Sequence, residues 1–337
     1  MKTLVITSVA SEITETLYMC LSRARENEVS CILIQDKKSG NFKTDLAQLI
    51  TPQDQEKLSF KIARLLPWNS YSRKNLGYLL AVLQGSDWII ETDDDNLPTS
   101  EFFRLEQLRN FNVRKPSAPE WVNVYPYFNN EVLWPRGFPL DEINRQRETI
   151  SFQREINKEG ILVAQCLANS DPDVDAIFRL TQKLPQQIGI DDPLQLQDGQ
   201  LAPFNSQATW WARSVSALMY FPSTVSWRSA DIWRSFVTAR IFQAQEFPML
   251  FFGPLVEQIR NKHDLMVDFQ EEIDCYLNSR KVWNTLKAIP DSKLRGGIYS
   301  DLLTCYKSLV VQGFVPGAEL KILNAWILDH QIAMAIK

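Results

Sequence analysis

Apolar residues in the first hundred positions follow two alternating rhythms. Short runs at Leu4 to Thr7, Ser30-Cys31-Ile32-Leu33-Ile34-Gln35 and Trp88 to Thr92 have the length and branched content of buried strands. Between them, apolar positions recur at helical spacing. Leu17, Cys20 and Leu21 mark one helix within Ile13 to Arg25, and Leu76, Leu79, Leu80 and Leu83 mark another that stops at Gly85. A further apolar run, Ile62 to Leu66, ends at Pro67. Strands alternating with helices predict an α/β arrangement, a Rossmann-like, mostly parallel sheet covered on both faces. Such sheets bind ligands beyond the carboxyl ends of their strands. Thr7-Ser8, Asp36-Lys37 and the residues after Thr92 are therefore expected along one edge.

Between about 110 and 210 the chain is richer in Pro, Asn and aromatic residues, and Trp121 to Phe128 and Ile161 to Leu167 are its clearest strand-like runs. From about Phe269 the pattern becomes purely helical. One helix starts with Phe269, Ile273, Tyr276 and Leu277, a second holds Leu302 to Leu309, and a third holds Leu320, Leu323, Trp326 and Ile327. Gly296-Gly297 and Pro316-Gly317 break the pattern beside these helices. The expected division is an α/β domain over 1–268 and a helical extension over 269–337. His330 shares helical spacing with Trp326 and Ile327, which points to a structural role.

Composition narrows the function classes. The 337 residues carry 36 basic and 40 acidic side chains, well mixed along the chain, so there is no electrostatic footprint for nucleic acid. Five cysteines, Cys20, Cys31, Cys166, Cys275 and Cys305, are widely spaced without a CxxC pair. That spacing argues against a disulfide framework or zinc site and for a reducing, cytoplasmic setting. The amino terminus reads as a strand and not as a signal peptide, and no apolar run reaches the ~18 residues that span a bilayer.

The chemistry concentrates in Ile89-Ile90-Glu91-Thr92-Asp93-Asp94-Asp95-Asn96, where a buried strand opens into three consecutive carboxylates. Like charges this close need a cation or strong donors. Asp93 and Asp95, at i and i+2, can both reach one hard cation, Mn²⁺ or Mg²⁺, of the kind that bridges nucleotide phosphates. Asp94 should point the other way and receives no role. An acidic turn leading into a helix near Thr99 or Ser100 is the plainer alternative. Upstream, Tyr71-Ser72-Arg73-Lys74-Asn75 places Arg73 and Lys74 at a helix start that favours anions, where they could hold a diphosphate or a base. A solvated helix start would look the same.

The phrases Arg73-Lys74-Asn75-Leu76-Gly77-Tyr78, Glu91 to Asn96, Asn123-Val124-Tyr125-Pro126-Tyr127-Phe128 and Leu133-Trp134-Pro135-Arg136-Gly137-Phe138-Pro139-Leu140 together resemble the STELLO-type glycosyltransferase-like family. That family is more distantly similar to the reversibly glycosylated polypeptides, which include UDP-arabinopyranose mutases. The resemblance covers about residues 1 to 280. It implies a GT-A-like nucleotide-diphospho-sugar transferase fold and a metal-dependent glycosyltransferase with a UDP-sugar donor and a glycan or small-molecule acceptor. Two alternatives remain open under it, a UDP-sugar mutase and a non-catalytic partner of polysaccharide-synthesis proteins. Plant members are membrane-anchored, and this chain shows no anchor, so a soluble cytoplasmic relative is expected.

The resemblance also extends to single residues. Donor contacts are expected from Thr7 and Asp36 at the strand ends, from Arg73 and Lys74 at the helix start, and from Trp134, Arg136 and Arg228 in the resembling phrases, with Trp134 the one aromatic expected to serve as a sugar platform because of its neighbours Pro135-Arg136-Gly137. The resemblance implies His263, in the polar turn Arg260-Asn261-Lys262-His263-Asp264, as a third metal ligand beside Asp93 and Asp95, although a surface histidine is as common. Arg228-Ser229-Ala230-Asp231 resembles an acceptor-side segment, which makes Asp231 the candidate general base; it could equally cap the helix from Ile232 to Gln243. Asp171 and Asp173 could face an acceptor, but Asp173 or Ser170 more simply caps the helix carrying Ile177, Phe178 and Leu180.

Overall fold

Residues 1–129, 132–144, 150–184, 187–261 and 264–336 are described in the computed structural model of the chain. Strand β1 (Lys2–Ser8) buries Leu4, Val5 and Ile6 completely, because both faces of the strand are covered. Leu4 and Ile6 pack beneath helix α1 (Glu15–Glu26) with Leu33 of β2 (Ser30–Gln35). Val5, Ile32 and Ile34 pack on the opposite face. Short β3 (Gln48–Ile50) follows β2, and α2 (Pro52–Lys57) starts at Thr51, whose hydroxyl and the Asp54 carboxylate cap each other's backbone. Helix α3 (Lys74–Leu83) crosses β1 so closely that a Cβ on Gly77 would lie 2.4 Å from Val5 Cγ1.

The remaining strands are β4 (Trp88–Thr92), β5 (Asn96–Pro98), β6 (Phe111–Pro116), β7 (Phe152–Asn157), β8 (Val163–Asn169), β9 (Leu194–Gln195), β10 (Ala208–Ala212) and β11 (Met249–Gln258). One sheet runs β3-β2-β1-β4-β10-β8-β11-β9-β6-β7, with β5 paired to the end of β11. From β3 through β11 every strand is parallel except β10, which runs antiparallel between β4 and β8. The expected α/β class is therefore observed, with a mostly parallel half and a mixed edge.

Helices α4 (Ala176–Thr181), α5 (Trp227–Ala244), α6 (Leu265–Glu271), α7 (Ile273–Lys287), α8 (Ile298–Val311) and α9 (Glu319–Ala335) complete the chain. The last three pack against one another, with α7 against α5 and α9 against α3, so they cover the Val5 face of the sheet. His330 is buried between the Ser216 hydroxyl (2.9 Å) and the Tyr299 hydroxyl (3.0 Å), a structural placement as its spacing predicts. All five cysteines are buried and free. Among the described residues no helix is long and apolar enough to cross a membrane.

Several local expectations are corrected. Ile62 to Leu66 folds as a 3-10 turn (Ile62–Arg64), and the third strand is the three-residue β3, too short to show a period. Trp121 to Phe128 is no strand; Trp121 makes a single bridge to Leu201, and Tyr125–Tyr127 is a 3-10 turn. The segment after Ser100 is likewise 3-10, over Glu101–Gln107. The cap of α4 is Asp175, whose carboxylate accepts from Phe178 N, and not Ser170 or Asp173. Ser226 caps α5, which leaves Asp231 one turn inside the helix.

Across the β4–α5 interface, Glu91 and Arg234 form a fully buried ion pair. Both Glu91 oxygens accept from the guanidinium, at 2.7 and 3.0 Å, and they also accept from Trp211 Nε1 (2.9 Å) and the Tyr78 hydroxyl. Removing one member of such a pair leaves an uncompensated buried charge, at a cost of roughly 3–5 kcal/mol. Arg234→Met should destabilise by about that amount in urea unfolding. The double variant Glu91→Gln/Arg234→Met should recover part of the loss, because the stranded carboxylate is gone.

Candidate active site

The end of β4 delivers Asp93, Asp94 and Asp95 into a cavity of about 280 Å³. Its other walls include Thr7 and Ser8 from the end of β1, Asp36 after β2, and Arg73, as expected for the carboxyl edge of the sheet. A narrower cavity of about 70 Å³ adjoins it, lined by Arg136, Asp173, Asn205, Ser206, Gln207 and Asp231 among others. A larger space of about 600 Å³ opens at the amino-terminal end of β11, beside Arg240 and Gln243, and none of the sequence-predicted residues lines it.

Each acidic residue has a different environment. Asp93 Oδ1 accepts from the Tyr71 hydroxyl and, at 3.2 Å, from Lys74 Nζ. Asp94 accepts from the Ser8 hydroxyl and lines the same cavity as its neighbours, so the expectation that it points away is corrected. The chain leaves strand geometry at Asp93, and the period-two alternation ends with it. Asp95 Oδ2 accepts from Gln258 Nε2 at 3.2 Å, while the buried Oδ1 has no partner among the described residues. Burial, followed by repulsion from Asp93 and Asp94, pushes the Asp95 carboxyl up to about 7. Strand β5 turns back onto β11, and Ile259 N donates to Asp95 O at 2.8 Å, which brings Gln258 and Arg260 to the cavity.

The two basic residues are not a solvated pair. Lys74 is completely buried, and its Nζ donates to Tyr71 Oη (2.6 Å), Thr92 O (2.8 Å), Asp93 Oδ1 and Ser206 O (3.3 Å). It braces the acidic turn from beneath and lines neither cavity, which corrects its expected contact with a diphosphate. Arg73 lies 3.5 Å from the Trp68 ring centroid, with Nε on Gln55 Oε1 (2.6 Å) and Nη1 on Leu66 O (3.1 Å). Its Nη2 is buried without a partner among the described residues, and burial draws its pKa down to about 10. Thr7 Oγ1 is a third buried, unpartnered atom on a residue lining this cavity. Asp36 accepts from the backbone of Lys37 (2.7 Å) and Ser70 (3.0 Å), and so closes the floor beneath.

Arg136 is the hub of the narrow cavity. Its guanidinium holds Asp173 at 3.0 and 2.9 Å and Asp231 at 2.8 and 2.9 Å. Burial alone would raise the Asp173 carboxyl, but Arg136 and Arg228, with the Asn205 amide, outweigh it and hold Asp173 well below the usual carboxylate range. Both Asp231 oxygens are engaged by Arg136, and Oδ1 also accepts from Ile232 N. With both oxygens occupied, Asp231 serves as a strut for Arg136, an arrangement the sequence alone does not announce for the expected general base.

Arg228 donates to Glu272 through Nε at 2.8 Å and borders both cavities. Trp134 is buried edge-on against Phe178 with Nε1 on Asp175 (2.7 Å); it is core and not a sugar platform. His263 lies outside the described residues. Sequence reasoning missed Trp227 and Arg260 as lining residues; no local pattern separates these from ordinary surface positions.

Sheet order and the acidic turn at β4 fit the α/β class expected from the sequence. The family resemblance is borne out as well. The chain is 26% identical over 299 residues to the probable glycosyltransferase STELLO2 of Arabidopsis thaliana, covering 82% of this chain and 38% of that protein. It is 25% identical over 297 residues to the probable glycosyltransferase STELLO1 of the same plant, covering 82% and 37%. It thus spans less than two-fifths of the relatives it matches. No family model matches. Among solved structures it is similar to a mycobacterial protein (10% identity, TM-score 0.42, 87% of this chain and 76% of that one). It is also similar to the M. tuberculosis glucosyl-3-phosphoglycerate synthase (11%, TM-score 0.40, 87% and 82%).

The Asp95 environment has a measurable cost. In the folded chain its carboxyl keeps a proton up to about pH 7, whereas the unfolded one releases it near 3.9. Stability therefore falls as pH rises between those values. Asp95→Asn should be more stable than the parent by ~1–3 kcal/mol at pH 8 in EDTA, with little difference near pH 4. Urea unfolding at both pH values checks this, and an Asn variant that is less stable at pH 8 would contradict it.

Proposed function

We propose that the chain binds a nucleoside-diphosphate sugar, UDP-linked, in the 280 Å³ cavity and transfers the sugar to a glycan or small-molecule acceptor with the help of Mn²⁺ or Mg²⁺. The observation that carries this reading is the convergence of three buried, unpartnered polar atoms, Thr7 Oγ1, Arg73 Nη2 and Asp95 Oδ1, on residues lining one cavity beside three contiguous carboxylates. Buried polar groups are seldom left unpaired unless something absent from the protein alone completes them. A nucleotide offers both acceptors for Arg73 and a cation-bridging diphosphate.

The residues fit a divalent ion. Asp95 Oδ1 is unpartnered, and its carboxyl is raised by burial and then by repulsion from Asp93 and Asp94, both of which a cation would offset. Asp93 and Asp95 would hold it. Among the described residues no three His, Cys, Asp or Glu side chains form a closed metal cage, so diphosphate and water oxygens would supply the remaining ligands. When bound, the ion would offset the charge that develops on the departing diphosphate.

The protein's own groups do the rest. Lys74 fixes Asp93 and the Tyr71 hydroxyl from below, so the acidic turn needs no reorganisation on binding. Arg73, anchored by Gln55, Leu66 O and the Trp68 face, offers Nη2 to the nucleotide. Arg228 and Arg260 border the cavity near the acidic turn and would favour the anionic leaving group. Arg136, with Asp173, Asp231 and Asn205, forms a rigid, ion-paired lining of the narrower cavity.

A thermal-shift titration tests this reading. UDP with Mn²⁺ should raise the melting temperature by several degrees, since a ligand at a hundredfold excess over its Kd adds about 2.7 kcal/mol to the folded state. Asp93→Asn and Asp95→Asn should abolish the Mn²⁺-dependent part of the shift. If no nucleoside diphosphate moves the melting temperature with or without Mn²⁺, the proposal fails.

A further inference from the structure

Six residues, Tyr71, Asp93, Trp227, Arg228, Gln258 and Arg260, line both the 280 Å³ and the 70 Å³ cavity, so these are two chambers of one groove. Thr7, Asp36 and Asn69 belong to the larger chamber alone, and Asp173, Asn205 and Ser206 to the narrower one alone. Trp227 stands at the junction. Of the ten tryptophans, seven are buried and Trp68 and Trp88 are half-buried; Trp227, at 43%, is the most exposed. An indole offers a large flat apolar surface whose burial is favourable; here the Arg228 guanidinium lies over the ring, 5.2 Å from its centroid, and 43% of the residue remains exposed beside the groove.

The narrow chamber combines two surface types. Tyr71 and Phe221, with ring centroids 5.0 Å apart, supply further apolar wall. Asn205, Ser206 and Gln207 supply amide and hydroxyl groups, and Asn205 and Gln207 are held in place by bonds to Asp173 (2.7 Å) and Gln258 (2.6 Å). A sugar ring has the same division, with apolar C–H faces and hydroxyl edges. A phosphate has no apolar face and an acyl chain no polar edge, so neither matches these walls.

We infer that Trp227 is the stacking platform for the glycosyl ring of the bound nucleotide sugar and sets which ring the narrow chamber accepts. This rests on the nucleotide-sugar reading above and assigns the sugar end of it to particular residues. Tyr71 and Phe221 complete the apolar walls, and the Asn205 to Gln207 turn faces the hydroxyl edge. The nucleotide end, with its contacts at Thr7, Asp36 and Arg73, lies in the larger chamber, on residues that do not line the narrow one.

Calorimetric titration of the full chain with UDP, UDP-glucose, UDP-galactose and UDP-arabinopyranose, each with Mn²⁺, separates the two ends. The wild type should bind at least one of these UDP-sugars more tightly than UDP. Trp227→Ala should lose about tenfold of that advantage while its affinity for UDP stays within twofold, and Trp227→Phe should keep most of it. Trp227 is exposed, so unchanged melting temperatures of the free variants are expected and would show that the loss is local. An unchanged UDP-sugar to UDP ratio in Trp227→Ala, or equal wild-type affinity for UDP and all three sugars, would overturn the platform and leave the nucleotide site standing. No binding of UDP by the wild type would overturn both.

Discussion

The architecture hangs on one buried ionic contact, between Glu91 in β4 and Arg234 in α5. Glu91 lies on the Ile89 side of its strand, and the next three residues after Thr92 are the acidic turn. Arg234 lies two turns into α5, whose first turns carry Trp227, Arg228 and Asp231. One bidentate pair therefore fixes the two walls of the groove relative to each other, and Tyr78 of α3 and Trp211 of β10 saturate the same carboxylate. A buried pair of this kind adds little net stability over an apolar substitute, but it tolerates only one geometry. The benefit is a precise site on rigid elements.

A second layer of ion pairing repeats the principle nearer the cavities. Lys74 pairs with Asp93 from below, and Arg136 bridges Asp173 and Asp231. Charges that look catalytic in a list of residues are here largely satisfied by the protein itself. At the groove, Thr7 Oγ1, Arg73 Nη2 and Asp95 Oδ1 stay unsatisfied on residues that border the larger chamber, and Trp227 stays partly exposed at its junction with the narrow one. Other unpaired buried atoms are scattered through the fold, and these three are set apart by sharing one cavity.

Much of the fold was legible along the chain. The β1, β2 and β4 runs, α1, α3 and the late helices have lengths and periods that local propensity and burial enforce. The acidic turn stood out because three adjacent carboxylates at a strand end have no apolar explanation. The errors share a cause. Trp134 and Trp227 are both aromatic residues beside an arginine or a proline in sequence, but one is core and the other open, because exposure is decided by distant elements. Asp231 looked like a free base beside Arg228, whereas Arg136, 95 residues away in sequence, occupies both its oxygens. Lys74 looked like a surface cation, but Thr92 O and Ser206 O enclose it.

By itself, then, the sequence determined the α/β class of the fold, the strand ends that gather along one edge of the sheet, and the run of three carboxylates placed there, since each follows from patterns within a few residues. Only the tertiary structure decided which charges are spent on one another and which remain for a ligand. That choice depends on pairings across 19 residues for Lys74 and Asp93 and 143 for Arg234 and Glu91. A local pattern can announce a charge, but the partner that desolvates and neutralises it is set by packing.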